Sequence, residues 1–198
     1  GFWLIYAFPH YLIGSSFTHK FYNTILINSS MMSFYLIPLF LPFLLKPKFF
    51  FTSEIKFFIG SAVIAFVIVL ILSNLFDYNP SVGGGFFLKL SNLTFGNNIL
   101  FYFTSLIGFV LLSYLSKESK NNLILIFLIF LSFNVTTIFQ KYHEPMLLFI
   151  YFLIFESKLP FQFFKDYKAL IFLYLYTAVY FIMALINSVA QITRNYNF

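Results

Sequence analysis

The sequence predicts an all-α fold, a polytopic membrane bundle of about seven transmembrane helices with one short interfacial helix. Three observations lead there. Of 198 residues, 61% are hydrophobic and 9% are charged, whereas a water-soluble domain carries roughly a quarter charged residues to keep its surface dissolved. With a mean hydropathy of +0.89, most of the surface is suited to a bilayer. The apolar residues also fall in runs close to the ~20 that cross hydrocarbon as a helix. An open strand there leaves backbone groups unpaired at several kcal/mol each, whereas a helix satisfies them internally.

Seven runs qualify in chain order. Residues 1–17 are short and interrupted by Pro9 and His10. Residues 25–45 hold Pro38 and Pro42, which membrane helices tolerate because neighbours re-satisfy the freed backbone groups. The run 57–76 is the cleanest. Runs 99–116 and 122–139 are separated only by Lys117, Glu118, Ser119 and Lys120, the pattern of a helical hairpin. Residues 145–159 open on Pro145, which suits a first helical position, and are marginal in length. Residues 169–192 are long enough to tilt. Amides and hydroxyls inside these runs, such as Asn74, Asn134, Thr136, Thr137 and Asn187, are expected to join helices. The longest connection, 77–98, passes Pro80 and three glycines into an apolar stretch broken by Lys89, Ser91 and Asn92, which suits a helix near 86–95 in the interface plane. The whole of 1–198 reads as a single integral membrane domain. Its start at Gly1 in a shortened apolar run suggests a fragment of a longer polypeptide.

The formal charge of +6 invites a nucleic-acid partner, but Lys and Arg in a membrane protein are topology determinants. If all seven runs cross, one end of the bundle, Y, receives Lys46, Lys48, Lys56, Lys117, Lys120, Lys158, Lys165 and Lys168. The other end, X, receives Lys20, Lys89, Lys141 and Arg194. The excess of positive charge makes Y cytoplasmic and X extracytoplasmic. A re-entrant 145–159 erases that bias. The absence of Cys excludes disulfides, thiolate metal sites and a cysteine nucleophile. His10, His19 and His143 stand in separate segments without paired helical spacing, so no metal is expected. No cofactor fingerprint occurs either. The 33 Phe, 14 Tyr and marked Lys excess over Arg match an AT-rich genome supplying bulk to bilayer-facing helices.

End X also collects the polar residues that are not simple anchors: His19, Asp77, the glycine run, Asn97, Asn98 and the cluster 140–144. Successive amides at Gly83, Gly84 and Gly85 form a nest for an anion such as a phosphate, or the run is a hinge. In the cluster, Lys141 together with the N-terminus of the following helix suits a phosphate, and His143 or Glu144 suits proton transfer. The alternative is an interfacial anchor in which Lys141 pairs with Glu144. Asp77 follows a clean run and reads as a capping or solvated group ahead of a catalytic one. Asn92-Leu93-Thr94 matches an N-glycosylation acceptor, a triplet frequent by chance.

The order Gly83-Gly84-Gly85-Phe86, a helical hairpin, and Phe139-Gln140-Lys141-Tyr142-His143-Glu144-Pro145 opening another apolar helix resembles the C-terminal membrane region of GT-C glycosyltransferases. The resemblance covers residues 80–155. It implies a polyprenyl-phosphate sugar as donor, held by Lys141, Tyr142, His143 and Glu144 with Gly83, Gly84 and Gly85. The acidic catalytic motif of that family lies in its first extracytoplasmic loop, and this chain has no counterpart, so no catalytic residue is assigned. A non-catalytic subunit of a membrane complex and a transporter are the alternatives. For a transporter, His10, Pro38 and Pro42 are the hints of polar or broken structure at mid-membrane depth.

Overall fold

The computed structural model describes residues 21–44, 54–78, 83–132, 149–157 and 165–196. Among them every regular element is helical: α1 (Phe21–Leu44), α2 (Glu54–Ser73), α3 (Gly85–Phe95), α4 (Ile99–Glu118), α5 (Lys120–Ser132), a π-helical turn (Ile150–Ile154) and α6 (Tyr167–Tyr196). Three are long and apolar enough to cross a membrane: Phe21–Pro42, Ile55–Ser73 and Ile99–Glu118. Lys120–Leu131 and Tyr167–Ile182 are shorter apolar helices. The predicted run 1–17 lies outside the described residues, and 145–159 is described only over 149–157. Helix α3 occupies the place of the predicted interfacial helix.

Element boundaries follow local chemistry that apolarity alone does not see. Helix α1 is described from Phe21, and its Asn23 and Thr24 are polar yet buried. Helix α2 stops at Ser73, short of Phe76. There the Asn74 side-chain amide and the Ser73 hydroxyl both donate to the Leu70 carbonyl at 2.9 Å. Leu75 and Phe76 N–H then bond three residues back, at 3.1 and 3.3 Å, the tightened last turn by which helices satisfy terminal carbonyls. Among the described residues Asn74, expected to join helices, bonds back into its own helix at its end. Helix α3 closes on Gly96 at φ 63°, whose N–H bonds Asn92 O, the left-handed cap that glycine favours. The π turn ends where Phe155 extends to ψ 128°.

Helix α1 is the hub: 83% of its crossing window is buried, against 39% for α4 and 17% for α2. The contacts fix the relative directions. Ser29 meets Ser105 and Phe40 meets Tyr114, so α1 and α4 are parallel. Phe58 stacks on Tyr114 and Phe76 packs on Phe101, so α2 is antiparallel to both. After the hairpin turn, α5 runs back along α4, with Phe130 stacked on Phe109. Tyr151, Phe155 and Ala169 share a cluster with Leu36, Phe40 and Leu115 at the Y end. From there α6 runs towards Phe34, reached by Tyr176 and Tyr180. At the X end a second cluster joins Leu26, Ile27, Met31, Val69, Leu88 and Phe101.

In lipid there is no hydrophobic drive between helices, so close packing and interhelical hydrogen bonds hold them. The α1–α4 contact is built that way. Ser29 Oγ donates to Ser105 O at 2.8 Å and Ser105 Oγ to Leu26 O at 3.0 Å, while the Ser30 and Thr104 hydroxyls meet at 2.9 Å. Gly108 permits the approach, since a Cβ there would lie 2.0 Å from Ser29 O.

Candidate functional site

At the X end, Asn23 is 2% exposed and grips Asp77 twice. Its amide nitrogen donates to the Asp77 carboxylate, and its oxygen accepts the Asp77 N–H at 3.2 Å. The start of α1 is thereby tied to the chain just beyond α2, and Asp77 acts as a clamp with its remaining surface exposed. Gly83, Gly84 and Gly85 follow with φ of 81°, 83° and 82°, in the region that side chains rarely enter. At Gly84 a Cβ would also stand 2.5 Å from the end of the Leu88 side chain and 3.1 Å from the Tyr78 ring, so both would have to shift. The three glycines are buried and set the tight entry into α3.

Helix α3 is then locked onto α4. Ser91 Oγ donates to Asn97 O at 2.7 Å and accepts the Phe101 N–H at 3.3 Å. The Asn92 amide donates to Leu88 O at 2.9 Å and to Asn98 Oδ1 at 3.0 Å, and Asn97 Oδ1 accepts the Ile99 N–H. Asn97 and Asn98 thus serve the turn between helices. Phe86 and Phe87 join Phe34, Tyr176 and Tyr180 in one aromatic cluster with ring centroids 4.9 to 5.8 Å apart. Lys89, Leu93, Thr94 and Phe95 form the exposed face.

Of the predicted substrate-binding residues, Gly83, Gly84 and Gly85 are placed here, while Lys141, Tyr142, His143 and Glu144 lie outside the described residues, as do His10 and His19. Among the described residues no group of three or more His, Cys, Asp or Glu is arranged to hold a metal.

The Y end holds a polar constellation that sequence reasoning missed. Asn122, fully buried, donates to Leu115 O at 2.8 Å and Glu156 O at 3.0 Å, and accepts the Glu156 N–H at 2.9 Å. One side chain caps α4 and pins the strand-like exit of the π turn. The Glu156 carboxylate accepts from Ser119 Oγ at 2.5 Å and Asn121 Nδ2 at 2.7 Å. These donors hold its carboxyl below the usual glutamate value. The available signal was a lone acid in an apolar run, opposite a hairpin turn rich in Ser and Asn. Nearby, Asp166 Oδ1 accepts the Lys168 N–H at 3.1 Å, an N-cap for α6, and Lys117 Nζ stands 4.8 Å above the Phe57 ring.

Compared with protein-family models, curated proteins and solved structures, the chain matches none. Its chemistry is therefore argued from its own residues. These polar side chains bond one another or backbone, and they hold elements together at both ends.

Proposed function

We propose that the chain is a multi-pass membrane protein of about seven spans, working at its X end on a polyprenyl-phosphate-linked sugar in the manner of GT-C glycosyltransferases. In this reading Lys141 meets the phosphate, Tyr142, His143 and Glu144 surround the sugar, and the turn at Gly83, Gly84 and Gly85 lies alongside. The observation that carries it is the alternation of helix direction. Helices α1, α2, α4 and α5 run alternately between the same two ends, as successive spans do, and the glycine turn lies on the connection at the X end, where this reading also puts 140–144. That end also receives the long connection folded into α3, whereas Y is joined by short Lys-rich turns.

The test is sugar transfer from a polyprenyl-phosphate donor by the full-length protein. Lys141→Ala removes a charge-assisted contact of roughly 1.5–3 kcal/mol, so donor binding weakens about tenfold to a hundredfold. His143→Ala lowers turnover at matched expression. Unchanged activity in both variants reduces the cluster to an anchor. A second reading, a non-catalytic subunit of a membrane complex, is favoured by one observation. The described interior spends Ser29, Ser30, Thr104, Ser105 and Asn122 on binding helix to helix. The same contact, with Gly108 against Ser29 O, packs α1 tightly on α4 at that level.

A further inference from the structure

Helix α3 lies along the bundle instead of across its end. Towards its C-terminus Ser91 and Asn92 bond Asn97 and Asn98, at the X-end entry to α4. One turn earlier Leu88, fully buried, packs with Leu26, Ile27 and Met31 of α1 and Val69 of α2. In its first turn Phe86 and Phe87 reach the ring of Phe34, at 5.3 and 5.7 Å between centroids, and Phe86 reaches Tyr180 at 5.8 Å. Phe34 is far from the X end. It stands eleven residues after Asn23, about 16 Å along α1 at the α-helical rise. Contacts on either side bracket its level on α4: Ser29 and Ser30 meet Ser105 and Thr104, and Phe40 meets Tyr114. Phe34 is therefore level with the middle of the crossing helix Ile99–Glu118. From Gly85 to Phe95 α3 rises about 15 Å, half of a hydrocarbon core roughly 30 Å thick.

We infer that residues 77–98 form a re-entrant element. The chain leaves α2 at the clamp between Asp77 and Asn23, enters the X half of the bundle, turns at Gly83, Gly84 and Gly85 beneath the membrane surface, and returns to X as the half-helix α3. The inference rests on the helices lying in a bilayer and not on the sugar-transfer reading. Its physical requirements are met. Tyr78 and Gly83 are five residues apart, up to about 17 Å of extended chain, which covers the descent. Non-helical backbone at membrane depth has to be covered by protein, and the three glycines are buried, Gly84 against Leu88 and the Tyr78 ring. Lys89 is exposed but stands only six residues, about 9 Å, before Phe95, and long basic side chains near helix ends reach for the interface. A helix lying in the interface plane would instead hold Phe86 and Phe95 at one depth and leave Phe34 out of reach.

The experiment places one nitroxide at a time on the full chain in phosphatidylcholine vesicles, at Phe95→Cys, Lys89→Cys or Phe66→Cys. All three positions are exposed, so labelling leaves the packing intact, and the chain has no native Cys. Collisions with oxygen, which partitions into hydrocarbon, and with a water-soluble nickel chelate read the depth of each label. Phe66, near the middle of α2, marks the bilayer centre. The Lys89→Cys label is expected about 9 Å deeper than the Phe95→Cys label, between it and Phe66→Cys. Equal depths at 89 and 95, or a shallower label at 89, restore an in-plane helix and overturn the inference. A Phe66→Cys label as open to nickel as Phe95→Cys overturns the bilayer reading itself, so the two failures are distinguishable.

Discussion

Gly108 and Gly60 are the same residue in apolar helices, with opposite sensitivities. A methyl group at Gly108 would lie 2.0 Å from Ser29 O, a backbone atom that cannot swing aside, whereas at Gly60 nothing lies within 4 Å. Gly108→Ala therefore separates α1 from α4 and costs about 1–3 kcal/mol or more. Gly60→Ala is neutral or gains up to about 1 kcal/mol of helix propensity. Unfolding midpoints in micelles check the pair, and equal shifts would sink the account of the α1–α4 contact. Asn122→Ala removes the partner of Leu115 O and of both Glu156 backbone groups, at about 1–3 kcal/mol for each group left buried and unpaired. A midpoint within error of wild type refutes that role. None of these positions stood out in the sequence. Ser, Asn and Gly occur throughout the apolar runs, and which of them faces a neighbour depends on a helix rotation that a nearly all-apolar helix does not reveal.

At the scale of elements, apolar run length located the helices, because hydrocarbon imposes one length and one backbone solution. The ends were less legible, since they depend on single side chains: Asn74 bonds back at the end of α2, and Gly96 closes α3. The segment 145–159 was read as a plain helix, yet 150–154 is π-helical, and its exit is held by Glu156. That attachment gives a pH dependence with a definite sign. Hydrogen bonds from Ser119 and Asn121 lower the Glu156 carboxyl in the folded state relative to its usual value, so their stabilisation is present above the unfolded value of about 4.3. It is lost as pH falls through the lower folded value. Protection of residues 149–157 against hydrogen exchange, corrected for the intrinsic rate, is expected to fall as pH drops below about 4.3. In Glu156→Gln it is expected to be independent of pH beyond the intrinsic chemistry. Identical profiles would show that the carboxylate does not hold this element.

For the whole molecule, the ends of the helices sort into two layers. Asn23, Asp77, Ser91 and Asn98 gather at one end, and Phe57, Lys117, Asn122, Glu156 and Asp166 at the other. Of the loop cations that were grouped on the assumption of seven crossings, Lys56, Lys117, Lys120, Lys165 and Lys168 belong to described helix ends at Y, and Lys89 to α3 at X. The chain has no Cys, so single-cysteine labelling reads the arrangement without a background substitution. Thr94→Cys on α3 and Lys120→Cys at the hairpin are both exposed in the wild-type structure. With an impermeant maleimide on intact cells, Thr94→Cys is expected to react at once, and Lys120→Cys only after permeabilisation, as the positive-inside rule predicts for the Lys-rich end. Reaction of both from one side would break the alternating path. A clean reversal would keep the bundle but invert it, and would move Lys141, Tyr142 and His143 away from the face where the sugar-transfer reading needs them.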